Sequence, residues 1–246
     1  MALDLAAHGF DVAVHYRGSH TEALETVADL RAAGAAAHAF QADLMNEAAC
    51  VALVPAVLAQ FNRLDAVVNN ASTFEYDTAA TFSHAAMDRH WRANTAPAVI
   101  LAQALHAHLS SRSSSRDDGS APPSGCVVNI VDQKLWNLNP DHFSYTLSKA
   151  ALQAATVMLA QALAPQVRVC GVAPGVTLAS GPMSDAEFVA AHQLTPLRRS
   201  STPDDIARAV RFLIESPAIT GTTLMVDGGQ HLSAQPRDVL YLAQKD

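Results

Sequence analysis

The chain of 246 residues contains only three cysteines, and no two of them form a Cys-x-x-Cys pair. Cys50, Cys126 and Cys170 are widely spaced in apolar segments, which predicts buried thiols in a reducing compartment rather than a disulfide framework. The 11 histidines show no metal-ligand spacing either. His106 and His108, for example, would point to different faces of a helix. The sequence therefore predicts no metal site.

Long apolar runs and positive charge are also scarce. No run approaches the ~20 residues that a transmembrane helix needs, and the N-terminus lacks the basic and apolar regions of a secretory signal. The 16 Lys and Arg residues are outnumbered by 23 Asp and Glu, which gives a formal net charge of −7. This balance argues against binding to a nucleic-acid backbone as the main activity. We expect a cytoplasmic, soluble protein with no membrane or nucleic-acid partner.

Half of the residues are hydrophobic, and at this length they can form one large core, so residues 1–246 are predicted to be a single domain. Strands are predicted at 11–16, 35–40, 64–68, 126–131, 167–172 and 223–227. Helices are predicted at 2–8, 20–33, 47–61, 85–109, 184–192 and 203–215, and another from about residue 144. This alternation favours a doubly wound α/β fold, with a parallel sheet covered by helices on both faces. Residues 110–125, rich in Ser, Asp, Pro and Gly, are predicted to form a flexible surface loop.

The stretch from Asp132 to Lys149 carries the strongest chemical signal. Tyr145 and Lys149 are four residues apart and would share one face of a helix. A Lys ammonium beside a phenol favours the phenolate, so we expect the pKa of Tyr145 to be lowered and the side chain to transfer protons near neutral pH. Asp132 follows a predicted strand, where open α/β sheets bind ligands. A Tyr-x-x-x-Lys pattern alone, however, usually represents only two solvent-exposed side chains on one helix.

The order of segments around this pair resembles the short-chain dehydrogenase/reductase family. It runs from a strand through a polar loop, Tyr-x-x-x-Lys, an apolar helix and a second strand to Ala173-Pro174-Gly175. The resemblance implies that Tyr145 is the catalytic acid/base and that Lys149 binds the nicotinamide ribose. The family usually has Ser at the position of Asp132, and Asp there is similar to the pteridine reductase branch.

The chain departs from the family at its beginning. The family starts with a strand and a Thr-Gly-x-x-x-Gly-x-Gly-like loop, whereas this chain starts within the helix that follows, at residues 2–8. The resemblance therefore implies that the first strand and the phosphate-binding loop are missing, leaving a gap of about two strand spacings, ~9.6 Å, in the sheet. A start assigned too late or a shortened chain would explain this. The alternative is a degenerate homologue that binds cofactor poorly.

Arg17 and Ser19 follow the first visible strand, where a cation and a hydroxyl suit the 2′-phosphate of NADPH. NAD-preferring relatives have an acidic residue here, although Arg17 could also be a solvated turn residue. The resemblance implies further cofactor contacts by Asp43, Leu44, Asn69, Ala71, Pro174, Gly175 and Thr177, together with Tyr145 and Lys149. From the residues alone, Asp43 could be only a turn former, and Asn69-Asn70-Ala71 an ordinary Asn-rich turn.

Two further residues complete the predicted site. Pro97 should bend the long helix beside Asn94, because it lacks an N–H and displaces the carbonyl of Ala93. That bend fits the family's catalytic Asn, which supports a proton-relay water. Phe74 corresponds to an aromatic residue that stacks on the pterin in the pteridine reductase branch. Phe74 could equally be a core residue contributed by a loop.

The sequence therefore predicts an NADPH-dependent reductase that transfers hydride to a pterin, a small molecule bound by Phe74, Asp132 and Tyr145. The resemblance also implies a homotetramer. One alternative is a carbonyl reductase of the same family that acts on a ketone or acyl substrate. The other is a non-catalytic homologue that serves as a binding or assembly subunit.

Overall fold

The computed structural model describes residues 1–114, 124–179 and 183–242. The strands are β1 (Val12–Tyr16), β2 (Ala37–Gln41), β3 (Ala66–Asn69), β4 (Gly125–Ile130), β5 (Val167–Pro174) and β6 (Thr223–Val226). The helices are α1 (Ala2–Ala7), α2 (His20–Ala32), α3 (Glu47–Phe61), α4 (His84–His90), α5 (Ala96–Ser114), α6 (Phe143–Ala162), α7 (Asp185–Gln193), α8 (Pro203–Glu215) and α9 (Val239–Leu242). A π-helical turn, Trp91–Thr95, joins α4 to α5. The predicted alternation of strands and helices is confirmed.

All strand pairs are parallel, but they form two separate sheets. One sheet contains β1 and β2, and the other has the order β3-β4-β5-β6. Within the described residues, no strand pairs with the free edges of β1 and β3. Every residue of β4 is buried, as expected for a parallel strand covered on both faces. The doubly wound α/β class is therefore confirmed, and the described strands leave an interruption between β1 and β3.

The helical layers continue across this interruption. On one face, α3 and α5 bury Cys50, Val54 and Leu101 in a cluster that also contacts Ala13 of β1 and Val67 of β3. The other face is covered by α1 and α8. These two helices are joined by an ion pair in which Arg211 Nε lies 3.0 Å from Asp4 Oδ2. The two sheets are thus held between shared helices rather than by pairing of their strands.

The predicted loop at 110–125 is wrong at both ends. Helix α5 continues to Ser114, and β4 already begins at Gly125. Serine can remain in a helix when its hydroxyl bonds to the preceding turn, and Ser111 Oγ donates to the carbonyl of His108 at 2.8 Å. Residues 115–123 of the predicted loop lie outside the described residues. None of the helices in the described ranges is long and apolar enough to cross a membrane.

Candidate active site

Three predicted residues meet at the carboxyl end of β4. The hydroxyl of Tyr145 donates to Asp132 Oδ2 at 2.7 Å. Lys149 Nζ donates to the carbonyl oxygen of Ile130 at 2.8 Å and lies 5.7 Å from the centroid of the Tyr145 ring. Tyr145 and Lys149 are buried, and Asp132 is half-buried. The arrangement places a carboxyl, a phenol and an amine around one point where a strand ends.

The first turn of α6 is fixed by a buried carboxylate outside the helix. Asp77 Oδ1 accepts from the backbone N–H of Ser144 at 2.9 Å, and Oδ2 accepts from the hydroxyl of the same serine. A carboxylate at a helix N-terminus satisfies free backbone donors and is favoured by the helix dipole. Because Tyr145 is the next residue, Asp77 helps to position the phenol. No pattern in the sequence indicates this contact, since Asp77 and Ser144 are 67 positions apart.

The expected lowering of the Tyr145 pKa is wrong. Burial and the neighbouring Asp132 carboxylate raise the pKa of Tyr145 well above its usual value. The phenol donates a hydrogen bond to that carboxylate, and the Lys149 ammonium is directed to the Ile130 carbonyl instead. Tyr145 therefore remains a protonated acid at neutral pH, which suits it to deliver a proton rather than to remove one.

The other two groups of this site are also shifted by burial. Burial lowers the pKa of Lys149 to about 8, although the Asp132 carboxylate opposes this change. Burial raises the pKa of Asp132 against the opposing bonds from Lys134 N–H and Tyr145 and the charge of Lys149. A carboxyl whose pKa is raised can both accept and supply a proton. The three groups can thus exchange protons with a bound molecule.

Asn94 connects the loop after β3 to α6. Its Oδ1 accepts from the backbone N–H of Thr73 at 2.7 Å, and its Nδ2 donates to the Thr73 carbonyl at 3.0 Å and to Ser148 Oγ at 2.9 Å. Asn94 lies in the π-helical turn, where the N–H of Ala96 bonds to the carbonyl of Trp91. A π-turn beside Pro97 agrees with the predicted disturbance of the helix. The side chain of Asn94 is occupied in positioning the loop.

Phe74 lies in a cluster of aromatic rings beside Tyr145. Its ring stacks on His142 with centroids 3.9 Å apart and meets the Tyr145 ring edge-on at 4.6 Å. Tyr76 and Tyr241 also contact the His142 ring, at 5.2 and 6.2 Å. Phe74 is 42% exposed, so it is not the core residue that the alternative reading suggested. Sequence reasoning missed His142, Tyr76 and Tyr241, because nothing in their spacing indicates that they meet.

An ion pair between buried Lys134 and half-buried Asp238 holds the C-terminal segment against this cluster. Lys134 Nζ donates to Asp238 Oδ2 at 3.0 Å and to the carbonyl of Asp141 at 2.6 Å. Arg237 Nε donates to Asp141 Oδ2 at 2.7 Å. The guanidinium of Arg237 also lies 4.9 Å from the centroid of the Tyr241 ring. These contacts connect the loop after Asp132 to the segment that carries Tyr241.

Six of the residues predicted to bind cofactor line one cleft of about 1220 Å³ between the two sheets. They are Arg17, Ser19, Asp43, Leu44, Asn69 and Ala71. No carboxylate within the described ranges pairs with the exposed guanidinium of Arg17. The side chain of Ser19 makes no capping bond at the start of α2. A cation, a hydroxyl and a helix N-terminus together suit an anionic group.

Two of these residues also have structural roles. Asp43 Oδ1 accepts from the backbone N–H of Met45 at 3.0 Å, which is the turn-forming role that the sequence left open. Asn69 Nδ2 donates to Asn129 Oδ1 at 2.8 Å, and Asn129 in turn donates to Thr156 Oγ1 at 2.9 Å. The Asn69 amide therefore ties β3 to β4 and α6.

Pro174, Gly175 and Thr177 lie apart from this cleft, at the carboxyl end of β5. The backbone N–H of Val131 donates to the carbonyl of Val172 at 2.8 Å, so Pro174 is level with Asp132 on the neighbouring strand. A Cβ at Gly175 would lie 2.4 Å from Ser200 Oγ and 2.9 Å from Asp227, so only glycine fits there. Thr177 Oγ1 donates to the Gly175 carbonyl at 3.0 Å.

Comparison with known proteins decides the family. The family described as Enoyl-(Acyl carrier protein) reductase matches residues 1–231. The chain belongs to the short-chain dehydrogenase/reductase family. A 3-oxoacyl-[acyl-carrier-protein] reductase of Synechocystis is 32% identical over 236 residues, which cover 93% of this chain and 90% of that protein. An uncharacterized oxidoreductase of Methylorubrum extorquens is also 32% identical, over 93% of this chain and 91% of its own length.

A solved structure of this family links the fold to another substrate class. FolM Alternative dihydrofolate reductase 1 from Brucella suis, in complex with NADP, is 39% identical with a TM-score of 0.86. The match covers 94% of this chain and 90% of the Brucella chain. Within the described residues, no group of three or more His, Cys, Asp or Glu could hold a metal ion.

Proposed function

We propose that this chain is an NADPH-dependent reductase of a dihydropteridine. The observation that carries the proposal is the pairing of Asp132 with Tyr145, 2.7 Å apart, beside the half-exposed ring of Phe74. A pterin is a flat ring with amino and ring N–H donors. A carboxylate can accept from such donors, and an aromatic ring can stack on the flat face. The NADP complex of the Brucella relative supports the choice of cofactor.

Each residue has a defined role in this proposal. NADPH supplies the hydride when it is bound. Tyr145 delivers a proton to the ring nitrogen next to the reduced carbon, because its raised pKa keeps the phenol protonated. Lys149 binds the ribose and holds positive charge near Tyr145. Asp132 accepts hydrogen bonds from the pterin and stays next to the proton donor.

The stacking geometry beside Tyr145 supports a planar substrate. Phe74 and His142 already stack face to face, with an interplanar angle of 19°. Burial lowers the pKa of His142, so its ring is a neutral aromatic surface at neutral pH. The edge-on contact between Phe74 and Tyr145 places the phenol at the border of this surface. A flat heterocycle stacked there would therefore lie within reach of the proton donor.

The second candidate is a ketoacyl or ketone reductase. The Synechocystis relative favours it, because that protein is named as a 3-oxoacyl reductase. Such a reaction needs a neutral donor to the carbonyl oxygen, which Tyr145 can supply. An ionised Asp132 would only accept hydrogen bonds and would repel the developing negative charge on that oxygen. The site chemistry therefore favours the pterin.

Turnover of two substrates by the unmodified protein separates these candidates. With NADPH as the reductant, kcat/KM on a dihydropteridine is expected to exceed kcat/KM on an activated ketone. The measurement is the loss of NADPH absorbance at several substrate concentrations. Reduction of the ketone without reduction of any dihydropteridine would favour the ketoacyl reductase candidate. Reduction of neither substrate, together with absent NADPH binding, would support a non-catalytic homologue.

Arg17→Glu is expected to reverse the preference for NADPH over NADH. A hydrogen bond to a charged group contributes about 1.5–3 kcal/mol, so loss of the contact with the 2′-phosphate should weaken NADPH binding about 10- to 100-fold. NADH lacks that phosphate and should bind as before or more tightly. The measurement is the Kd of each cofactor by fluorescence titration.

Arg92→Glu is the matched control, because it changes the net charge equally and lies outside the cleft. Arg92 pairs with Asp88 at 2.8 Å. This control variant should keep the NADPH preference. Equal Kd values for NADPH and NADH in the unmodified protein would contradict the proposed role of Arg17.

The homotetramer implied by the family resemblance remains a proposal. It is supported by apolar side chains that α6 leaves exposed, including Leu147 at 43% and Met158 at 67%. An apolar surface of this kind is typical of subunit contacts.

A further inference from the structure

A buried lysine connects the carboxyl of the candidate site to the C-terminal part of the described chain. Lys134 is 3% exposed, and its backbone N–H donates to Asp132 Oδ1 at 2.8 Å. The other oxygen of this carboxyl, Oδ2, accepts from the Tyr145 hydroxyl at 2.7 Å. A displacement of the Lys134 backbone would therefore move the carboxyl to which the phenol is bonded.

The side chain of Lys134 fixes that backbone through two acceptors. Its Nζ donates to the carbonyl of Asp141 at 2.6 Å and to Asp238 Oδ2 at 3.0 Å. Lysine is rarely buried unless it is paired, and removal of one partner of a buried ion pair leaves an uncompensated charge. The turn Gln133–Trp136, which Asp132 caps, is thus tied to a residue 104 positions away from Lys134.

Asp238 belongs to the C-terminal segment, residues 233–242, and is itself held in place. Its Oδ1 accepts from the N–H of Leu240 at 3.1 Å, and its own N–H donates to Asp141 Oδ2 at 2.8 Å. Leu240 is buried in a cluster with Ala191 of α7. The carboxylate of Asp238 is therefore a charge with a fixed position.

The ion pair places two opposite charges close to the reacting groups. Burial is the largest cause of the raised pKa values of Asp132 and Tyr145, and the Asp238 carboxylate adds to both increases. The Lys134 ammonium lies 3.0 Å from that carboxylate and balances its charge. Loss of one member of the pair would therefore change the electrostatic potential at Asp132, with opposite sign for the two members.

Other titratable groups also surround Asp132 and Tyr145. They are Lys149 of α6, His90 of α4, Asp77 at the start of α6 and, beyond the Phe74 ring, His142. The substitutions described below leave all four unchanged, so a difference between the variants is caused by the ion pair.

We propose that Lys134 and Asp238 are positioning residues of this candidate active site. Their ion pair holds the Asp132 carboxyl against the Tyr145 hydroxyl while the C-terminal segment is docked. Lys134 acts on the carboxyl through its backbone N–H, because its ammonium is bonded elsewhere. The inference rests on the proposed function only in taking Asp132 and Tyr145 as the groups that meet the substrate.

The first experiment follows the titration of Asp132 in the full chain by NMR of the carboxyl carbons, with Asp132→Asn to assign the signal. Asp238→Asn is expected to lower the pKa of Asp132, because a negative charge is lost and the Lys134 ammonium becomes unbalanced. Lys134→Met is expected to raise this pKa, because the Asp238 carboxylate loses its counter-charge. The double variant should titrate close to the unmodified protein. Shifts of the same sign in the two single variants would overturn the proposal.

The second experiment measures turnover. Lys134→Met is expected to lower kcat about 10- to 100-fold, because a displacement of about 1 Å at a reacting group can cost about 10²-fold. The Kd of NADPH should change little, since Arg17 and Ser19 line the separate cleft between the sheets.

Arg237→Met is the matched control for Lys134→Met. Arg237 is a second cation that holds the C-terminal segment, and its Nε donates to Asp141 Oδ2 at 2.7 Å. It is exposed and has no bond to the turn that carries Lys134. Because exposed ion pairs contribute little, this control should keep kcat within about threefold and leave the Asp132 titration unchanged. If Arg237→Met matched Lys134→Met in both measurements, docking of the segment in general would be responsible, and the specific role of the ion pair would be overturned.

The outcomes separate this inference from the proposed function. Reduction of a ketone instead of a dihydropteridine would reject the proposed substrate, while opposite titration shifts would still support the positioning role. An unchanged titration of Asp132 and an unchanged kcat in Lys134→Met would overturn the positioning role and leave the proposed substrate intact. If Lys134→Met does not fold, Asp238→Asn decides alone. Asn can still cap α9, so an unchanged pKa of Asp132 in this variant would overturn the proposal.

Discussion

Replacing Tyr145 with Phe is expected to lower kcat by about 10²- to 10⁴-fold on every substrate that the enzyme reduces, because a positioned acid contributes about that much. The ring and its edge-on contact with Phe74 at 4.6 Å are kept, and only the donor to Asp132 is lost. Binding of NADPH should change little, since Lys149 remains bonded to Ile130. The measurements are kcat on a dihydropteridine and on a ketone, and the Kd of NADPH.

Tyr76→Phe is the matched control for this prediction. It also removes one phenol hydroxyl from the aromatic cluster, and the ring contact with His142 at 5.2 Å is kept. Tyr76 is 54% exposed, so loss of its hydroxyl should leave kcat within about twofold of the unmodified enzyme. If Tyr145→Phe retained full activity on the dihydropteridine, Tyr145 would not be the proton donor.

The helices with strong local signals were predictable from the sequence. Both α3 and α8 have the predicted bounds, 47–61 and 203–215. Asn46 caps α3 by accepting from Ala49 N–H, and Asn62 ends it in a left-handed conformation with φ of 57°. Thr202 and Asp205 form a capping box at the start of α8. Signals of this kind lie within a few residues and need no knowledge of tertiary contacts.

The proton chemistry of the site was not predictable in the same way. The four-residue spacing correctly placed Tyr145 and Lys149 on one helix. It could not show which group each side chain would hydrogen-bond. Asp132, 13 residues before Tyr145, accepts a hydrogen bond from the phenol, while the Lys149 amine donates to a backbone carbonyl of β4. Burial is a property of the folded chain, and it is the largest cause of the raised pKa of Tyr145.

Contacts between distant parts of the chain were also missed. Lys134 and Asp238 are separated by 104 positions, and neither has a neighbour in the sequence that indicates a partner. His142 has a left-handed backbone with φ of 52°, which is unusual for a residue other than glycine. This conformation lies directly before α6 and accompanies the stack on Phe74. Only the folded structure shows that the C-terminal segment covers the aromatic cluster.

Position 132 can be altered without a large change in the fold. Asp132 Oδ1 accepts from the backbone N–H of Lys134 at 2.8 Å and so caps the short turn Gln133–Trp136. Ser and Asn are both good capping residues, so Asp132→Ser and Asp132→Asn should keep this turn. The two variants differ in how they can meet a substrate. Ser offers a small neutral donor, and Asn keeps the shape of Asp but loses its charge.

Asp132→Ser is expected to lower kcat/KM on a dihydropteridine about 10- to 100-fold, since it removes a charged acceptor that contributes about 1.5–3 kcal/mol to binding the pterin donors. Activity on an activated ketone should be unchanged or higher, because Ser can donate to a carbonyl oxygen. Asp132→Asn should also lose dihydropteridine activity, since its amide nitrogen cannot accept a hydrogen bond. The test is kcat/KM on both substrates for the three proteins. If both variants kept dihydropteridine activity while Asp132→Ser improved ketone reduction, the carboxylate would not be the pterin contact, and the ketoacyl reductase candidate would replace the pteridine reductase proposal.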